Sequence, residues 1–119
     1  MRHITRPGDL DTLFAENLAV LYKHSPTCGV CSAAAGEVNG FLRRHPGAVL
    51  YRVDVLAARS LSQEIAARTG IEHESPQIII LRSGAPVWNT SHYAITADTL
   101  AGQYEAALAG SGSPGQPVD

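Results

Sequence analysis

The segment Ser25-Pro26-Thr27-Cys28-Gly29-Val30-Cys31 constrains this chain more than any other, because it sets both cysteines two residues apart where one periodicity gives way to another. Before it, Leu18 to Tyr22 is apolar without alternation, as in a strand covered on both faces. After it, Cys31 to His45 repeats apolar residues at helical spacing. A thiol at such a strand-to-helix junction meets unpaired backbone N–H groups and the positive end of a helix dipole, and both favour thiolate over thiol. The second sulfur, one helical turn further in, is placed to attack a disulfide formed at the first. The segment reads as a redox pair, with Cys28 as nucleophile and Cys31 as resolving thiol.

Two other uses of a Cys-x-x-Cys weigh less. Four-coordinate zinc needs two further ligands, and the chain has neither a second cysteine pair nor a His-x3-5-His; only His24 and His73 could complete a set, so no metal is expected. A structural disulfide needs an oxidising compartment. The N-terminal stretch Met1 to Gly8 lacks an apolar signal core and no run approaches a membrane span, so a cytoplasmic protein without membrane contact is expected.

With 119 residues the chain is long enough to bury a core as one domain, expected over 1–109, followed by a disordered Gly/Ser/Pro-rich tail over 110–119. A net charge of −2 with dispersed basic residues leaves no footprint for nucleic acid. The densest basic cluster, Arg43-Arg44-His45, fits the last turn of a helix, where cations complement the dipole.

In chain order, His3 to Thr5 is a short edge strand, and Asp9 caps a first helix carrying Leu10, Leu13 and Phe14. Leu18 to Tyr22 is a central strand. In the helix after the cysteines Val30, Ala34, Val38, Phe41 and Leu42 face the sheet, Glu37, Arg43 and Arg44 face water, and Gly36 and Gly40 suggest close backbone packing or a bend. Pro46-Gly47 ends it. Val49 to Val55 is a strand with one well-buried face; Ser60 and Gln63 have capping-box spacing for a third helix closed by Gly70. Two strands, Ile78 to Leu81 and Val87 to Thr90, form a hairpin about Ser83-Gly84. Thr96 caps a last helix, with Ile95 and Leu100 as a staple and Leu100, Tyr104, Ala107 and Leu108 on its core face, ended by Gly110. The order β-α-β-α-β-α-β-β-α describes an α/β fold with a central mixed sheet flanked by helices, and a Cys-x-x-Cys in that pattern reads as thioredoxin-like.

The chain resembles that superfamily further. Gly70 to Gln77, just before an apolar strand, lies where a thioredoxin-like protein carries the cis-proline loop that faces its active cysteine, and the resemblance implies a cis peptide at Ser75-Pro76. More narrowly, Lys23-His24-Ser25-Pro26-Thr27-Cys28, His73-Glu74-Ser75-Pro76-Gln77, and Val87-Trp88 with Ser91-His92 resemble the monothiol bacilliredoxin family of the YtxJ/BrxC type, over roughly residues 3–108. Cys31 stands where many members carry serine or another non-thiol residue. Tyr22 stands near the buried aspartate of ordinary thioredoxins, and Thr27 replaces their tryptophan.

The resemblance implies an enzyme whose Cys28 removes bacillithiol from mixed disulfides on client proteins, with bacillithiol as thiol co-substrate and no bound cofactor. Either bacillithiol or a flavin-dependent disulfide reductase would recycle it. It also implies that Ser75 and Pro76 offer backbone hydrogen bonds to an extended substrate and keep metal from the cysteines. Thr27 and Ser25 are candidates to cap the active helix and steady the thiolate. His24 either pairs with the thiolate and relays a proton or is a strand-end histidine bonded locally. His73 and Glu74 line the groove or are solvated, and Trp88 packs on the sheet or contacts substrate. A general dithiol reductase of protein disulfides and a non-catalytic binding module are the competing functions.

Overall fold

A computed structural model describes residues 1–25 and 29–110. The elements are β1 (Arg2–His3), α1 (Pro7–Ala15), β2 (Leu18–His24), α2 (Gly29–Arg44), β3 (Leu50–Asp54), α3 (Arg59–Thr69), β4 (Gln77–Arg82), β5 (Ala85–Ser91), a 3-10 turn (His92–Ala94) and α4 (Ala97–Leu108). This is the expected order. The tail expected over 110–119 lies, Gly110 apart, outside the described residues, and so do Pro26, Thr27 and Cys28.

The five strands form one mixed sheet in the order β1-β3-β2-β4-β5. β3 is parallel to both β1 and β2, whereas β4 runs antiparallel to β2 and to β5. β2 is therefore central, and its unbroken apolar run follows from burial on both faces. With a period of two, Val20 and Tyr22 join Val38, Phe41, Leu100 and Tyr104 beneath α2 and α4. Ala19 and Leu21 join Leu10, Leu13, Leu61 and Ile65 beneath α1 and α3. The strand runs two residues beyond the apolar stretch, through Lys23 and His24, and this extension carries polar side chains into the sheet's end.

Several local expectations shift. α1 starts at Pro7, so Asp9 lies in its first turn instead of capping it and accepts the N–H groups of Thr5 (2.8 Å) and Arg6 (3.0 Å). α2 starts at Gly29, two residues before the expected helical run. α3 starts at Arg59, so Ser60 lies inside it and the capping box does not form; Ala58, its N-cap, has no side-chain acceptor to offer. Leu108 is 58% exposed because α4 ends there and turns it off the core.

The hairpin turn is fixed by stereochemistry. Ser83 and Gly84 both have positive φ, 50° and 81°, as a tight β4–β5 connection requires. A Cβ on Gly84 would lie 2.7 Å from the Phe14 carbonyl oxygen, so only glycine fits against the end of α1.

Of the two helix glycines, Gly36 has open space around it, while a Cβ on Gly40 would lie 3.3 Å from Ala97 Cβ. Close packing thus belongs to Gly40 alone. Around it Glu37 accepts the N–H of Ala97 (2.8 Å) and Arg44 meets Asp98 (2.6 Å), while Thr96 caps α4 by accepting from the Thr99 N–H (3.2 Å). α2 and α4 are joined at their facing ends by packing, a cap and an ion pair.

Candidate active site

The carboxyl end of β2, the first turn of α2 and the loop before β4 converge at one end of the sheet. α2 begins at Gly29, within the cysteine segment, so the backbone N–H groups of its first turn open toward that end of the sheet. Cys31 lies in that turn with 0% exposure, held down by the helical spacing that also buries Ala34 and Val38. Its Sγ is 3.9 Å from Ser75 Oγ. The Ser75-Pro76 peptide is cis, as the resemblance implied. The Pro76 carbonyl accepts the N–H of His92 (3.0 Å), and His92, at φ 57°, reaches back to Glu74 (2.9 Å). The proline loop is thus tied to the β5–α4 connection on both sides of Ser75. Thr27 and Cys28 lie outside the described residues.

His24 is buried and bonded locally. Its Nδ1 is 2.6 Å from the hydroxyl of Tyr22, two residues earlier on the same strand face. Burial pushes the Tyr22 phenol up to about 12, so it stays protonated. His24 falls below its ordinary value, first through burial and then through the nearby Arg52 charge, opposed by Asp54. The neutral imidazole accepts from Tyr22 at Nδ1 and carries its proton on Nε2. The same hydroxyl lies 3.5 Å from the Cys31 carbonyl oxygen, so Tyr22 stands between β2 and the cysteine turn. Sequence reasoning placed Tyr22 at the end of the central strand and as a substitution but gave it no role in the site; its position two residues before His24 was the usable signal.

On the opposite face lies Lys23, the chain's only lysine, with 0% exposure. Its Nζ is 3.2 Å from His73 Nδ1. Burial depresses the ammonium to about 8, partly countered by Glu74. His73 is lowered by burial and then by Lys23 itself, again countered by Glu74. Gln77, the register partner of Lys23, is 2% exposed; its Nε2 donates to the Glu72 carbonyl (3.1 Å), and its Oε1 is buried without a hydrogen-bond partner among the described residues. Trp88 packs half-buried on the α2/α4 core. Among the described residues no group of His, Cys, Asp and Glu is placed to hold a metal, and no helix is long and apolar enough to cross a membrane.

The family model for monothiol bacilliredoxin BrxC matches residues 2–100. The chain belongs to that family. A solved structure described as having a thioredoxin fold is 30% identical, with a TM-score of 0.81 over 87% of this chain and 92% of that one. Thioredoxins of Fasciola hepatica (21% identity, TM-score 0.70, 88% and 97% covered) and Trypanosoma brucei brucei (15%, 0.74, 92% and 90%) share the fold. The bacilliredoxin of this chain is a thioredoxin-fold thiol oxidoreductase, as its sequence led one to expect.

Proposed function

We propose that this bacilliredoxin removes bacillithiol from mixed disulfides on cytoplasmic client proteins through Cys28, with Cys31 resolving. The observation that carries the reading is Cys31, buried in the first turn of α2 and 3.9 Å from Ser75 Oγ beside the proline loop, in a chain of this family. A sulfur shielded there suits a second step better than a first encounter with a protein-sized substrate.

The Cys28 thiolate attacks the bacillithiol sulfur; a Cys28–bacillithiol disulfide forms and the client leaves as thiolate. The Cys31 thiolate then attacks the Cys28 sulfur, forming the Cys28–Cys31 disulfide and expelling bacillithiol as thiolate. The client sulfur and bacillithiol have been reduced by two electrons, and the cysteine pair oxidised by two. A flavin-dependent disulfide reductase, or bacillithiol itself, returns those electrons. Ser75, Pro76, Thr27 and His24 would border the substrate, with no bound cofactor required.

The test compares turnover of a bacillithiolated protein with that of the same protein carrying an internal disulfide. Faster turnover of the mixed disulfide is expected, with a reduction potential in the glutaredoxin-like range of about −200 to −230 mV. Faster turnover of the internal disulfide would make the protein a general dithiol reductase and overturn the reading.

A further inference from the structure

A groove of about 540 Å³ runs along the side of the sheet opposite Cys31, walled by Val55, Leu56 and Ala66 and bordered by Arg59 and His73. It adjoins the site through the backbone, since the Val55 N–H bonds the His24 carbonyl (2.9 Å) and His73 lies two residues before Ser75. Among the described residues, both charged or chargeable residues on its border are nitrogen donors, and no carboxylate lines it.

The Lys23–His73 contact gives this border a direction. Below about pH 8 Lys23 is an ammonium, which can only donate, so His73 Nδ1 must accept and the ring proton sits on Nε2, the nitrogen turned away from the buried lysine. His73 is exposed, so that N–H is presented outward. Lining the same groove, Arg59 opens α3, whose N-cap Ala58 supplies no side-chain acceptor, and the helix end adds partial positive charge. One oriented donor, His73, and one cation, Arg59, beside an apolar wall suit a small molecule carrying carboxylate on a less polar frame.

We propose that this groove receives the carboxylate-bearing half of a low-molecular-weight thiol held in mixed disulfide, with Arg59 and the Nε2–H of His73 binding its carboxylate and Lys23 orienting His73 from behind. The inference rests on the proposed reaction for the identity of the ligand, which it narrows to an anionic thiol. Binding would favour such mixed disulfides over those of neutral thiols, because a neutral adduct leaves both donors without a charged acceptor.

The S-methyl thioether of bacillithiol keeps the malyl carboxylates but has no reactive sulfur, so binding can be read without turnover. In titrations of the isotope-labelled full chain, amide shifts are expected at residues 55–66 and 73. Arg59→Gln and His73→Phe should each weaken binding about tenfold, the size of one charge-assisted hydrogen bond. Lys23→Met should shift the His73 ring-nitrogen resonances away from the single Nε2–H tautomer, which a merely structural role would not do, and Lys23→Gln, which keeps a donor, should restore them.

Unmoved amides in the groove would overturn the proposal, as would equal binding of the dimethyl ester or of an acidic peptide without the thiol moiety. Turnover of bacillithiolated client without groove shifts would sink the groove and leave the reaction standing. Groove shifts without turnover would sink the reaction and leave the groove.

Discussion

Lys23→Met should make this protein more stable at neutral pH, although it removes a hydrogen-bonded residue. A fall in the ammonium from 10.5 to about 8, at about 1.4 kcal/mol for each tenfold change in proton affinity, amounts to about 3 kcal/mol of destabilisation of the charged form. The sign follows from proton counts. Between about pH 8 and 10.5 the unfolded chain holds the lysine proton more tightly than the folded one, so stability rises with pH across that window. Below about 8 both states are protonated and the full cost is present. Methionine has a similar unbranched length and no charge to desolvate, so urea unfolding at pH 7 should show a gain of about 2–3 kcal/mol with an unchanged m-value. Tyr22, Tyr51 and Tyr104 have raised values and therefore lose stability as pH rises through about 10, but both proteins share that loss. The difference between the two curves isolates Lys23, falling from its plateau at pH 7 toward zero above pH 10. A flat difference, or a variant less stable at pH 7, would show that the lysine is paired well enough to carry its charge and refute the argument.

Mass spectrometry after mixing with a bacillithiolated client should find the adduct captured on Cys28 in Cys31→Ser and no adduct in Cys28→Ser; an adduct on Cys31 with retained turnover would reverse the roles. Iodoacetamide across a pH series should modify Cys28 well before the buried Cys31. Tyr22→Phe leaves the buried Nδ1 of His24 without its donor, and thermal or urea unfolding should register a loss of about 1–2 kcal/mol. Gly84→Ala places a Cβ 2.7 Å from the Phe14 carbonyl at φ 81° and should cost about 2 kcal/mol or more, read as a lower denaturant midpoint.

The fold was legible because its signals were periodic. The apolar run at Leu18 to Tyr22, the helical spacing of Ala34, Val38 and Phe41, and the turn pair Ser83-Gly84 each specify one local structure, and their order leaves few ways to build a sheet. The Ser75-Pro76 loop was legible as a motif. Capping at α3 was misread because Ser60 has the right chemistry one residue inside a helix whose start is set by the β3–α3 connection. Leu108 was misread because periodicity does not say where the core ends. The buried polar residues Lys23, Gln77 and His24 were least legible. Their burial depends on β2 continuing past its apolar stretch and on β4 and the His73 loop closing over it, contacts between residues some fifty positions apart in the case of Lys23 and His73.

The junction of α2 and α4 bears on how the protein changes between its reduced and oxidised forms. The helix that carries Cys31 is pinned at its far end by the Gly40–Ala97 contact, the Glu37 cap and the Arg44–Asp98 pair. A rod fastened there has little freedom to slide or roll as a whole. A change made at the other end would then be taken up in the first turn of α2, where Cys31 is buried 3.9 Å from Ser75 Oγ. That turn and the proline loop beside it would then be the surface on which a partner reads such a change.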